Sequence, residues 1–206
     1  MAELPDPLTD PLQYWRSCRN AAQDPVQLLE LIYQDAPKDA LAFCIEKGRA
    51  IKELEAPPEL ASHNNEENVS SSTVDEDENR TQRKLLSQAC YAACQFLANA
   101  TAACQQLDMQ TQKRLQVVLF TDKKPMLDLV VLFGSSRKIL SCVVAIMLNC
   151  TQSHVFDCGQ IVADRSLVCA LLRAMAKDGQ RPRPRPRSEA PNNGAAANGG
   201  GGGETG

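Results

Sequence analysis

Histidine, aromatic rings and long apolar runs are all scarce in this chain, and each shortage removes a class of explanation. His63 and His154 are the only histidines. A cysteine nucleophile needs a base within hydrogen-bond reach, and a zinc site needs Cys and His at short loop spacings, so both chemistries have little to draw on. The nearest metal-like pattern is Cys90-x-x-x-Cys94 with Cys104 beyond and no histidine close by. On a helix the first two share the apolar face, where cysteine serves as a small hydrophobe. Cys150 and Cys158 flank His154 in sequence, but a lone histidine near a helix end more often bonds the terminal carbonyls. Phe133-Gly134-Ser135-Ser136 lacks the Gly and Lys spacing of a phosphate loop and reads as a turn between helices. No catalytic, cofactor-binding or metal-binding residue is assigned on this basis, no cofactor is expected, and the chain is not expected to be an enzyme.

Aromatics make up 4% of the residues against 43% hydrophobic in total, so the core must come from Leu, Ala, Val and Ile. That balance favours close-packed helices over a sandwich or barrel. No apolar run reaches the roughly 18–20 residues that span a bilayer, and the N-terminal stretch carries prolines and acids instead of a basic start and an apolar segment. The expectation is a cytoplasmic protein, neither secreted nor membrane-spanning. Nine cysteines, an odd number, then read as reduced thiols. Asn-x-Ser/Thr triplets begin at Asn68, Asn79, Asn99 and Asn149 and are taken as accidental, since a glycan requires export. A net charge of −3 gives no overall attraction to nucleic acid or anionic lipid.

Residues 1–10, with Pro5 and Pro7 among acids, read as an extended leader. N-terminal helices follow over 11–56. Pro11 starts one through Tyr14, Trp15 and Cys18, and Asp24-Pro25 starts the next as cap and first helical residue. Asp39 is expected to cap a third, which carries Leu41, Ile45, Ile51 and Leu54 to the stop at Pro57-Pro58, with Gly48 weakening its middle. Residues 57–82 are acidic with almost nothing to bury, and read as a disordered linker. Helix returns at Arg83, and residues 83–178 hold five helical stretches separated by turns, among them 111–120 and 125–133. The apolar run 138–150 is rich in Val and Ile, so periodicity alone leaves a buried strand open, while its length favours a buried helix. Asp164 caps the last stretch, which ends at Lys177-Asp178-Gly179. Residues 179–206 read as a disordered tail, Arg/Pro-rich and then Gly-rich. Arg181, Arg183, Arg185 and Arg187 could touch phosphates or acidic protein, but no aromatic residues interleave with them and specific nucleic-acid recognition is not expected.

Two helices carry related text. Lys84-Leu85-Leu86-Ser87 leads to Asn99-Ala100-Thr101, and Lys138-Ile139-Leu140-Ser141 leads to Asn149-Cys150-Thr151, the two Asn residues being 50 positions apart. Short helix, medium helix and long buried helix closing on Asn-x-Thr is the pattern of a three-helix solenoid repeat such as the armadillo repeat. Asn99 and Asn149 are then helix-end residues whose amides bond a neighbouring turn.

CQFLANATAACQQLDMQ and LDLVVLFGSSRKILSCVVAIMLNCT together resemble the central repeat pair of the ataxin-10 proteins, and the segment from Tyr14 to Ala21 is similar to the helix end before that family's first repeats. The resemblance extends over about 90 residues, from 85 to 175, in spacing and apolar identity. It implies an all-α, armadillo-like α-solenoid, here an incomplete or diverged member with about two to three repeats. It also implies a non-enzymatic protein-binding scaffold linked to cytokinesis. The expected partner is a protein held in the helical groove, with self-association where a repeat face is left uncovered; no membrane partner is expected. The alternative is a nucleic-acid-associated protein acting through the Arg/Pro tail, with the helical part as a dimerisation unit.

Overall fold

A computed structural model describes residues 4–55, 72–122, 124–152 and 165–179. The first part of the acidic stretch, His63, His154, Cys158, Asp164 and the Arg/Pro tail lie outside the described residues. Those residues hold eight α-helices and no strand: α1 (Pro11–Ala21), α2 (Pro25–Tyr33), α3 (Ala36–Glu53), α4 (Ser72–Ala103), α5 (Met109–Phe120), α6 (Lys124–Phe133), α7 (Arg137–Gln152) and α8 (Arg165–Gly179). A single 3-10 turn, Cys104–Gln106, joins α4 to α5. The run 138–150 is therefore helix, and the all-α expectation stands.

Aspartate and proline set most of the helix starts. Asp10 accepts from the Gln13 N–H at 3.0 Å, Asp24 from the Val26 N–H at 2.8 Å, and Asp108 from the Gln110 and Thr111 N–H groups at 2.9 and 3.0 Å. Each cap satisfies donors that the first helical turn leaves unpaired, a contribution of about 1 kcal/mol. Two starts differ from expectation. The helix expected to be capped by Asp39 begins earlier, at Ala36, with Asp35 at the cap position in a left-handed conformation (φ 60°) and Asp39 inside the first turn. Pro37 causes this, because a first-turn residue needs no N–H donor and a proline fits there. α4 begins at Ser72 and not at Arg83, so 72–82 is helical and not linker. Its acids lie near the positive end of the helix dipole, and adding turns to an already buried helix is easy. In the leader, the Leu8 N–H donates to the Asp6 carboxylate at 2.9 Å in a turn, and Leu4 packs against the edge of the core.

The helices form two successive triplets, α2–α3–α4 and α5–α6–α7. α2 packs on α5, α3 on α6 and α4 on α7, so each helix meets its counterpart. α1 covers the other flank of α4, and α8 packs on α6. One apolar core runs through all of them. Phe96 of α4 is wholly buried in it, with its ring centroid 5.9 Å from that of Trp15 on α1; Phe43 of α3 lies 5.6 Å from the same indole. At the α3–α6 crossing the side chains of α6 press on Gly48, where a Cβ would lie 2.9 Å from Phe133 Cε2 and Cζ and 3.1 Å from Leu132 Cδ1.

The Asn-x-Thr endings lock the stack. The Asn149 amide donates to the Ala98 carbonyl and to the Thr101 hydroxyl, both at 3.1 Å. The Asn99 amide donates to the Arg19 carbonyl at 3.3 Å. Ala98 precedes Asn99, and Arg19 precedes Asn20, so the two bonds are equivalent steps of one ladder through α1, α4 and α7. The threonines back-bond within their own helices, Thr101 to the Ala98 carbonyl at 2.9 Å and Thr151 to the Leu148 carbonyl at 2.8 Å. The expectation that both asparagines bond a neighbouring helix end is met.

Candidate functional site

The cysteines singled out by spacing go into the core. Cys90 and Cys94 are fully buried on α4, facing Cys44 of α3, whose sulfur is 3.7 Å from that of Cys94 and 3.5 Å from the Cys90 carbonyl oxygen. Cys104 is buried in the 3-10 turn and Cys150 near the end of α7. Among the described residues no group of three or more Cys, His, Asp or Glu is arranged to hold a metal ion. Gly134 and Ser135 form the turn between α6 and α7. Of the pairing considered for His154, only Cys150 is described.

Burial governs these thiols. It pushes Cys18 and Cys104 up to about 11, with the Asp108 charge adding to the effect at Cys104. Cys142 is pushed up to about 12, by burial first and by nearby Cys94 second. Hydrogen bonding with Cys90 and Cys94, and full burial, hold Cys44 neutral well above the ordinary thiol range. Free thiols in an unfolded chain titrate at about 8.5. The folded state thus keeps protons that the unfolded state releases; the stability this gives is complete below about pH 8.5 and is lost as the pH climbs through the folded values. The thermal midpoint followed by circular dichroism is expected to fall steadily between about pH 9 and 11. At pH 8 a disulfide reagent should titrate exposed Cys169 rapidly and the buried thiols only in denaturant. Rapid reaction of Cys44 or Cys94 in the native protein would contradict this packing.

What the fold does expose is a groove between the α2–α3 corner and α5, with a volume of about 930 Å³. Its floor and walls are mostly apolar: Leu41, Ala42 and Ile45 from α3, Val117 and Val118 from α5. Val117 is 60% exposed although Leu115 and Leu119 on either side of it are completely buried. Arg114 holds the upper end together. Its guanidinium donates to Asp35 at 3.0 Å and to the Tyr33 carbonyl at 3.5 Å, and lies 5.0 Å from the centre of the Tyr33 ring. Asp122 closes the other end and accepts from the Lys124 N–H at 3.0 Å, starting α6. Lys38 on the α3 wall and Lys113 on the α5 wall are exposed along the rim.

In the sequence, 111–120 is one of the shorter helical stretches within 83–178, and the groove is not apparent there. A signal was present: Val117 falls on the opposite side of the helix from Leu115 and Leu119, so α5 carries apolar surface in two directions. That the second direction meets α3 depends on the tertiary pairing. No helix among the described residues is long and apolar enough to cross a membrane. No family model, curated protein or solved structure matches the chain.

Proposed function

We propose that this chain is a non-enzymatic protein-binding scaffold, an armadillo-like α-solenoid of about two to three repeats of the kind implied by its resemblance to the ataxin-10 proteins. The observation that carries the binding role is the open apolar groove between α3 and α5, with Val117 presented on its wall. Apolar surface held in a concave site is where a soluble monomer spends binding energy. The solenoid reading is supported by the counterpart pairing of the two helical triplets and by the repeated step of the asparagine ladder. A link to cytokinesis is proposed on the sequence resemblance alone.

The test replaces Val117 by Asp, a change at an exposed position that leaves the core untouched. Proximity labelling in cells with wild type, Val117→Asp and a control, Leu85→Asp on the exposed side of α4, is expected to show proteins lost with the first variant and retained with the second. All three should share one melting curve. A labelling profile indifferent to Val117→Asp would remove the groove from consideration.

A further inference from the structure

The rim of the groove has a definite charge pattern. Of its two acids, Asp35 is engaged by Arg114 and Asp122 by the first turn of α6. Neither Lys38 nor Lys113 takes part in any ion pair among the described residues, and both are exposed. One stands on each wall with apolar surface between them. An occupant that satisfies this arrangement has an apolar stripe flanked on both sides by carboxylates. An α-helix with apolar residues at i, i+3, i+4 and i+7 presents such a stripe, and helix-in-groove docking reads those anchors. α5, at 12 residues, is about 18 Å long, enough to contact about three turns of a second helix.

Resting on the reading of the groove as a protein-binding site, we propose that it accepts an acidic amphipathic helix of a partner protein, with apolar residues on Ile45 and Val117 and carboxylates facing Lys38 and Lys113. The lysines choose the partner and speed its approach, and the apolar floor holds it. Binding therefore weakens with salt, because rim charges are screened over about 8–10 Å at ordinary ionic strength.

The probes are two fluorescein-labelled synthetic amphipathic peptides, identical in their leucine stripe, one flanked by glutamates and the other by lysines, titrated with the full chain by fluorescence anisotropy. The glutamate peptide is expected to bind saturably and the lysine peptide at least about tenfold more weakly, with Lys38→Glu/Lys113→Glu inverting the order. Both positions are exposed, so the double variant should keep the wild-type helical melting curve. Equal binding of the two peptides, abolished for both by Val117→Asp, overturns the choice of acidic partner and leaves the groove as a binding site. Failure of both peptides to bind, with the labelling profile of Val117→Asp also unchanged, overturns both readings; failure of both peptides alone overturns only the acidic helix. A single-stranded RNA that binds with the same dependence on the two lysines overturns it in favour of a nucleic-acid partner.

Discussion

Phe96→Ala should cost about 3–5 kcal/mol, the range for removing a wholly buried aromatic side chain. Phe96 is completely inaccessible on α4, where α1 and α3 meet, with Trp15 at 5.9 Å. Three helices border the space it leaves, and each is held elsewhere, α1 and α4 by the Asn99 bond and α3 by its close approach to α6, so collapse around the cavity is restricted. Domains of this size are stable by about 5–15 kcal/mol, so the change removes a large share of the total. At about 2–4 °C per kcal/mol the thermal midpoint should drop by roughly 6–20 °C. Trp15, the only tryptophan, reports the event directly, and its native emission should shift to the red as the cavity admits water. A loss below about 1 kcal/mol in a urea melt would mean that the α1–α4 interface is loose.

Gly48→Leu is the second large effect, and its mechanism is the opposite one. The Cβ alone would come within 2.9 Å of the Phe133 ring, which is itself buried, and the rest of the leucine has no space to enter. Overpacking of this kind costs about 1–3 kcal/mol where side chains can shift, and more where two helix backbones must separate. A loss of about 3 kcal/mol or more is expected. Gly48→Ala separates the competing effects. Alanine gains about 1 kcal/mol of intrinsic helix preference over glycine, while its Cβ still presses on Phe133. The net change should be a small loss. A clear gain in the denaturation midpoint for alanine, with leucine tolerated, would show that α3 and α6 are not in close contact at this position.

The same glycine shows where sequence reasoning stops. Residues with a local signature were legible: Asp24 and Pro25 at a helix start, the apolar face of Leu28 and Ile32, the buried cysteines of α4, and the Asn-x-Thr echo. Gly48 read as a weak spot in a helix, since the ring it must clear belongs to a residue far along the chain. The start of α4 was misplaced because exposed acids have no packing pattern, and the dipole that accommodates them depends on a helix formed elsewhere. The groove was invisible for a related reason. Lys38, Ile45, Lys113 and Val117 become a site only once α3 and α5 lie side by side.

The asparagine ladder has a consequence for how freely the helices could slide. Rows of Leu, Val, Ala and Cys are nearly interchangeable under a displacement of one helical turn, about 5.4 Å, so apolar contact alone leaves several alignments of α7 on α4 close in energy. The amide of Asn149 meets the Ala98 carbonyl and the Thr101 hydroxyl in only one of them, and every other alignment strands a partly buried polar group at about 1–3 kcal/mol. Asn99 imposes the same condition between α4 and α1. These side chains act as detents, supplying little of the cohesion and most of the indexing, so that the apolar letters around them can be exchanged while the reading frame of the stack persists.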